Sequence, residues 1–279
     1  MAKEINQPKP NLFIVGAPKS GTTFLYERLK NNEELFFPKI KELNFFSYNI
    51  LNKKSYYRDF KIKEKKKYLK FYNFDKKKYY ADCSVSYFAF PVVAKNIYDF
   101  NPNAKIIIIV RDPYKRAFSH YLMDKRMGYA KKDFIKYISN EMEYPFHYHQ
   151  YINNSLYYKN IKNYEELFGK SNVLVLNLEK IEKDLGRIYS FLNIEKRLQD
   201  INFNEVVNQS KAPRNIFGKF LQKNRNITER IKLLFPKSIS KNFNNFLYKN
   251  GNSEKISDEA ILKLNDLLKN DYENFKKKY

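Results

Sequence analysis

Glycine and cysteine are scarce in this chain. Only 7 of its 279 residues are glycine, and Cys83 is the one cysteine. The low glycine content excludes collagen-like and glycine-rich linker proteins, so each glycine that is present carries more information. A single cysteine allows no intramolecular disulfide and no zinc site built from cysteines. We therefore expect a reduced, cytoplasmic protein.

Long apolar runs are missing as well. No stretch approaches the roughly 18 apolar residues of a membrane-spanning helix. The opening residues Met-Ala-Lys-Glu-Ile-Asn-Gln-Pro contain no apolar signal-peptide core. The His147-x-His149 pair is too sparse to indicate a metal site. We expect neither a transmembrane helix nor a leader, and no required metal.

Positive charge is abundant. Lysine and arginine total 53 against 30 acidic residues, a net charge of +23, while 43% hydrophobic residues argue against a disordered chain. Such a charge attracts nucleic acid, acidic glycans, anionic lipid or a nucleotide cofactor. Lysine runs such as residues 65–67 and 76–78 are also typical of ordinary solvated surface, so the total charge alone does not choose among these partners.

Short apolar runs alternate with segments of helical spacing along the chain. This pattern predicts an α/β fold with a central, mostly parallel sheet flanked by helices. We interpret residues 1–279 as a single P-loop-like domain, with a loose lead-in at 1–10, a loop-rich stretch at 128–155, a helix at 160–168 and a helical C-terminal part at 219–279. The predicted strands are residues 11–16, 79–83, 105–110 and 173–176.

A glycine loop follows the first predicted strand. In Gly16-Ala-Pro-Lys-Ser-Gly-Thr-Thr23 two of the seven glycines lie between a strand and a helix. Such a loop directs backbone N–H groups at an anion, and the helix N-terminus adds partial positive charge. An ATP-type loop needs lysine directly after the second glycine. Thr22 occupies that place and Lys19 lies inside the loop, which favours a phosphate-like group without the usual nucleoside triphosphate geometry.

A second anion-binding motif follows the strand at 105–110. Arg111 stands at its C-terminal end, where doubly wound sheets bind ligands. Pro113 fits the first position of the next helix. Ser119 lies on that helix, and its hydroxyl can complete an anion site with the guanidinium.

Together these motifs resemble those of sulfotransferases that use 3′-phosphoadenosine 5′-phosphosulfate (PAPS). The loop matches the family pattern P-K-S/G-G-T-T, and residues 111–119 match R-D-P-x-x-R-x-x-S. Residues 41–46, Lys-Glu-Leu-Asn-Phe-Phe, resemble the K-E-x-H-F-F segment of the heparan sulfate-type branch, and the resemblance covers roughly residues 11–218. It implies a P-loop-like fold and nucleotide contacts from Pro18, Lys19, Ser20, Gly21, Thr22, Thr23, Arg111, Ser119, Tyr157, Lys211 and Arg214.

The resemblance also implies roles in sulfuryl transfer. Lys19 is expected to stabilise the charge that develops on the leaving phosphate. Glu42 is the expected base for the acceptor, with a surface carboxylate paired with Lys41 or Lys39 as the alternative. His120 is an alternative base for which we expect a packing or capping role. The chain departs from the branch at Asn44, where histidine is common, and at Cys83, where lysine is common.

The expected partner is a glycan or glycolipid acceptor, with PAPS as co-substrate. The amphipathic stretch 227–248 permits peripheral contact with an anionic membrane surface. No specific nucleic acid is expected, and the oligomeric state is left open. Two other function classes compete with this hypothesis. One is a P-loop kinase or NTPase, and the other is a basic nucleic-acid binder that uses residues 53–80.

Overall fold

The computed structural model describes residues 8–51, 62–195 and 254–279, together with the backbone of 211–213 and 248–250. The predicted amphipathic stretch 227–248 therefore lies almost entirely outside the described residues, as does Arg214. The interpretation of the chain as one domain stays a prediction.

A parallel five-stranded sheet forms the centre of the structure, which confirms the predicted α/β fold. The strand order is β2-β3-β1-β4-β5, and every pairing is parallel. The inner strands β1 and β4 are nearly continuous apolar runs, as expected for a sheet that helices cover on both faces. The strands are β1 (Leu12–Gly16), β2 (Leu35–Phe36), β3 (Tyr79–Cys83), β4 (Lys105–Val110) and β5 (Val173–Asn177).

Helices connect the strands and pack on the two faces of the sheet. Short 3₁₀ turns at Val85–Tyr87, Asn153–Ser155, Lys170–Asn172 and Leu178–Lys180 complete several of the connections. The helices are α1 (Thr22–Leu29), α2 (Tyr48–Leu51), α3 (Lys65–Leu69), α4 (Pro91–Phe100), α5 (Pro113–Met127), α6 (Phe134–Ser139), α7 (Pro145–Tyr151), α8 (Tyr157–Phe168), α9 (Ile181–Leu192) and α10 (Asp258–Lys278).

Alternate side chains of β1 enter two separate cores. Phe13 and Val15 pack with α4 and α8, whereas Leu12 and Ile14 pack with α1 and α9. This alternation fixes which face of the sheet each helix covers. Strands β3, β1 and β4 are parallel neighbours, so the loops that follow them lie side by side at the C-terminal edge of the sheet.

Two predictions about segment structure were wrong. Residues 128–155 are not loop-rich, because α6 and α7 form there, and α8 begins at Tyr157 rather than at residue 160. The two short helices are stabilised by tertiary packing, since Phe134 and Tyr151 are buried against α5 and α10. An isolated helix of this length is marginal in water, so periodicity alone did not identify them.

The C-terminal part predicted to be helical spans 219–279, and within it the structure describes helix α10 at 258–278 and a strand at 248–250, where the prediction was wrong. A short strand β7 (Tyr248–Asn250) pairs antiparallel with β6 (Lys211–Pro213), and neither strand was predicted. Helix α10 packs across α5, α6 and α8. Within the described ranges, no helix combines the length and apolar character that spanning a bilayer requires.

Candidate active site

The loop between β1 and α1 makes a tight turn at the edge of the sheet. The Ala17 amide donates to the Ile109 carbonyl at 2.7 Å, which fastens the loop to β4. Lys19 and Gly21 both have positive φ, at 68° and 92°. The φ of Gly21 favours glycine by conformation, and a Cβ atom there would also lie 2.6 Å from Leu178 Cδ1, so the leucine side chain would have to shift. The turn presents the N-terminus of α1, with its unpaired backbone amides, to this edge.

Arg111 joins the loop from the end of β4. Its Nη1 donates to the Lys19 carbonyl at 3.3 Å, so the two predicted motifs are in direct contact. The next residue, Asp112, caps α5 by accepting from the Lys115 amide at 2.8 Å. Asp112 therefore has a structural role at the start of α5.

Three predicted site residues each carry a buried polar atom that has no partner at hydrogen-bonding distance among the residues that the structure describes. These atoms are Ser20 Oγ, Arg111 Nε and Tyr157 OH. Burial raises the pKa of Tyr157 to about 12, while nearby Arg116, Ser20 and Arg111 oppose that rise, so the groups lie close together. Since buried polar atoms are nearly always paired, the cluster points to an anionic ligand with acceptor oxygens.

The pKa of Lys19 is lowered by the surroundings of its side chain. Burial, followed by the positive charge of Arg126, lowers the pKa of Lys19 to about 8, with Arg111 and Arg116 adding to the effect and Asp124 opposing it. Its ammonium lies 3.6 Å from Met123 Sδ. Four cations thus converge where one carboxylate is present, and Tyr151 already donates to that carboxylate at 2.7 Å. An anion bound here would relieve the repulsion.

Arg116 is the main functional-region residue to which the sequence assigned no role. Its side chain is fully buried. Its position as the second arginine of R-D-P-x-x-R could have identified it from the sequence. Only the tertiary contacts show that it joins the β1–α1 loop to α7 and to the 3₁₀ turn before α8. Its partners are Ser155 Oγ (2.7 Å), the carbonyls of Gln150 and Tyr151 (2.7 Å each), the Pro18 carbonyl (3.4 Å) and His120 Nδ1 (3.3 Å).

His120 is buried beside this arginine. Burial, with the charges of Arg116 and Lys19, places the pKa of His120 well below its usual value, so the imidazole is neutral. The position agrees with the packing role expected for it. A further polar side chain on the neighbouring helix α7, Gln150, is fully buried, and neither amide atom has a partner among the described residues.

Glu42 lies at the same edge of the sheet, next to the end of β3. Its amide donates to the Cys83 carbonyl at 3.1 Å, and its φ is 66°. Its carboxylate accepts from Lys41 Nζ at 2.7 Å, and its side chain is 37% exposed. The pairing with Lys41 is the alternative raised from the sequence. Because the Glu42 side chain is partly open to solvent at this edge of the sheet, the same carboxylate is also accessible to an acceptor.

A buried polar network holds the Glu42 loop. Asp82 accepts from Ser84 Oγ at 2.6 Å, and Ser84 Oγ in turn accepts from the Asn44 amide at 3.1 Å. Asn44 Oδ1 also accepts from Ser86 Oγ at 2.8 Å. Asn44 is thus a buried anchor of the loop. Burial raises the pKa of Cys83 to about 12, so its thiol stays protonated.

The remaining predicted residues are placed less directly. Pro18 and Thr22 are buried and Thr23 is half-buried at the start of α1, while Ser119 is half-buried on α5. Lys211 lies in β6, whose backbone alone is described. In the described ranges no cluster of three or more histidine, cysteine, aspartate or glutamate side chains is arranged to hold a metal.

Comparison with known proteins places this geometry in a family context. A family model described as a sulfotransferase domain matches residues 9–258. Human carbohydrate sulfotransferase 15 is 22% identical over 245 residues, covering 66% of this chain and 44% of that protein. Mouse heparan sulfate glucosamine 3-O-sulfotransferase 5 is 24% identical over 209 residues, covering 71% and 58% respectively. The chain therefore spans about half the length of the curated relatives it matches.

A solved structure is similar as well. The crystal structure of a sulfotransferase from Alicyclobacillus acidocaldarius is 28% identical and has a TM-score of 0.58. The match covers 67% of this chain and 82% of that one.

Proposed function

The chain belongs to the sulfotransferase domain family, and from that premise we propose that it transfers a sulfuryl group from PAPS to a hydroxyl or amine of a carbohydrate or glycolipid acceptor. The released product is adenosine 3′,5′-bisphosphate. The residues of the β1–α1 loop fit the 5′-phosphosulfate, and those around Arg111 fit the 3′-phosphate.

One observation carries the donor assignment. Ser20 Oγ, Arg111 Nε and Tyr157 OH are buried, and none of them has a partner at hydrogen-bonding distance among the described residues. They lie in a region where burial and nearby arginines lower the pKa of Lys19. A phosphate ester offers several acceptor oxygens and negative charge, so it satisfies both the hydrogen bonds and the electrostatics. Ser119 is the further hydroxyl expected at the 3′-phosphate.

The chemistry is an in-line displacement at sulfur. The acceptor oxygen or nitrogen attacks the sulfur, and the bond between sulfur and the bridging phosphate oxygen breaks. Negative charge grows on that oxygen, where the Lys19 ammonium, the loop amides and the hydroxyls of Thr22 and Thr23 stabilise it. Glu42 takes the proton that the acceptor loses, because its carboxylate is accessible at the same edge of the sheet.

The acceptor class is supported by the relatives and by charge. The curated relatives are named for carbohydrate and heparan sulfate glucosamine substrates. A net charge of +23 favours an acidic glycan or an anionic surface over a neutral acceptor. Contact with a membrane surface remains part of the proposal.

A transfer assay tests the function directly. The purified chain is incubated with ³⁵S-labelled PAPS and, in separate reactions, with an acidic polysaccharide, a neutral polysaccharide and a lipid-linked saccharide. We expect label in the acidic polysaccharide or the lipid-linked saccharide, and its loss in Lys19→Met. The chain with ATP and Mg²⁺ serves as the test of the NTPase alternative. Phosphate release without any sulfuryl transfer would overturn the proposal.

A further inference from the structure

Helix α10 lies almost wholly beyond the region that the family model matches. The matched region ends at residue 258, where α10 begins. The helix packs on α5 and α8, which carry Ser119 and Tyr157. It also buries Leu264, Leu268 and Phe275 in the cores of the domain. A helix in this place contacts the supports of the candidate site from outside the matched region.

Asp271 of α10 caps helix α8. Its two carboxylate oxygens accept from the amides of Tyr158 at 3.0 Å and Lys159 at 2.9 Å. The residue in the N-cap position of α8, Leu156, has no side-chain oxygen and makes no cap hydrogen bond. The helix thus begins without a local cap, and a carboxylate from 113 residues along the chain replaces it. That carboxylate also complements the positive end of the helix dipole.

Tyr157 is the first residue of this helix. Its buried hydroxyl lies near Ser20 and Arg111 and has no partner at hydrogen-bonding distance within the described ranges. Its ring contacts the ring of Phe275 on α10 at 5.7 Å between centroids. Asp271 therefore fixes the backbone next to Tyr157, and Phe275 packs against the side chain. Both contacts come from one face of α10.

We propose that Asp271 is a positioning residue for the nucleotide site, holding the first turn of α8 so that the Tyr157 hydroxyl reaches the bound anion. The inference rests on the proposed use of PAPS. Without the cap the first turn of α8 frays, and the hydroxyl donor moves away from the phosphate oxygens. The C-terminal helix then acts on the nucleotide site through the first turn of α8.

A double-mutant cycle tests this coupling. The affinity for adenosine 3′,5′-bisphosphate is measured by calorimetry in the full chain for wild type, Asp271→Ala, Tyr157→Phe and the double variant. Tyr157→Phe removes one hydrogen bond to a charged group and should weaken binding about tenfold. Asp271→Ala should weaken it by part of that factor, about threefold or more, and should have almost no further effect in the Tyr157→Phe background.

Two matched variants separate positioning from general stability. Asp271→Asn keeps one acceptor oxygen and should recover part of the affinity. Asp266→Ala removes an exposed carboxylate from the same helix and should bind as wild type does. Each variant is measured well below its own melting temperature. An Asp271→Ala chain that melts earlier but binds normally, or one whose loss is equal in both backgrounds, overturns the inference.

Hydrogen exchange provides the second readout. In Asp271→Ala the amides of Tyr158 and Lys159 should exchange faster than in wild type, while those in the middle of α8 keep their rates. Unchanged exchange at these two amides overturns the inference whether or not the nucleotide binds. A wild-type chain that binds no bisphosphate refutes the proposed function instead, and the exchange result then still decides whether Asp271 holds α8.

Discussion

Lys19 should take up a proton when the nucleotide binds. In the ligand-free protein its pKa is about 8, because its ammonium is buried and faces Arg126, Arg111 and Arg116. A bound phosphate brings opposite charge within a few ångströms and should return the pKa to its ordinary value near 10.5 or above. The number of protons that Lys19 takes up on binding therefore depends on the pH relative to these two pKa values.

The expected stoichiometry follows from these two values. The free protein has roughly a tenth of its Lys19 neutral at pH 7, about half at pH 8 and about nine tenths at pH 9, whereas the complex stays almost fully protonated. The share of proton uptake that comes from Lys19 should therefore rise from about 0.1 to about 0.9 per nucleotide over this range. The phosphates of the ligand have a second pKa of about 6 and titrate near and below pH 7. The dissociation constant is therefore compared above pH 8, where it should rise towards tenfold per pH unit.

Calorimetry in pairs of buffers with different ionisation enthalpies measures the uptake, with adenosine 3′,5′-bisphosphate as ligand. Lys19→Arg is the matched control, since its guanidinium stays charged throughout and should bind with no pH-dependent uptake. The reasoning is refuted if uptake at pH 9 stays below about 0.2, or if Lys19→Arg takes up as many protons as wild type does.

Three further predictions concern the donor site and the base. Arg111→Ala should weaken bisphosphate binding by about 2–4 kcal/mol and AMP binding far less, because it removes charged hydrogen bonds in a buried site. Titrations of both nucleotides, with Lys115→Ala as the control variant, check this expectation. Equal losses of affinity for the two nucleotides would contradict it. Glu42→Gln should lower kcat by about 10²–10⁴-fold with binding nearly intact, whereas the exposed control Glu27→Gln should not; near-normal turnover in Glu42→Gln would leave only the ion pair with Lys41. The bisphosphate should bind equally well in excess EDTA, and calorimetry that finds binding only with added metal would sink this expectation.

The paired state of Glu42 makes its variant informative beyond the rate. Lys41 is largely buried and its ammonium is 2.7 Å from the Glu42 carboxylate, so Glu42→Gln leaves a buried cation without its ion partner. We expect the Glu42→Gln variant to lose some thermal stability for that reason. If Glu42 is also the base, the variant loses turnover even at temperatures where it is fully folded. Melting curves recorded with the kinetics distinguish the two.

The sequence by itself determined the features that depend on neighbouring residues. An uninterrupted apolar run such as residues 105–110 is typical of a strand covered on both faces, so the strand was predictable from the run itself. Gly16 and Gly21 mark the loop after β1, because both have φ values that favour glycine. Arg111 follows its strand directly, so its place at the edge of the sheet was predictable from the order of residues alone.

Only the tertiary structure decided which distant groups meet. The low pKa of Lys19 comes from its burial and from the nearby arginines of α5. The packing of α8 brings the Tyr157 hydroxyl close to Ser20 and Arg111. The cap on α8 comes from Asp271, and no pattern near Leu156 indicates it. Helices α6 and α7 likewise depend on tertiary contacts, because they pack against α5 and α10. Burial, desolvation and capping by a remote carboxylate are properties of packed surfaces, and local spacing does not encode which surfaces will pack.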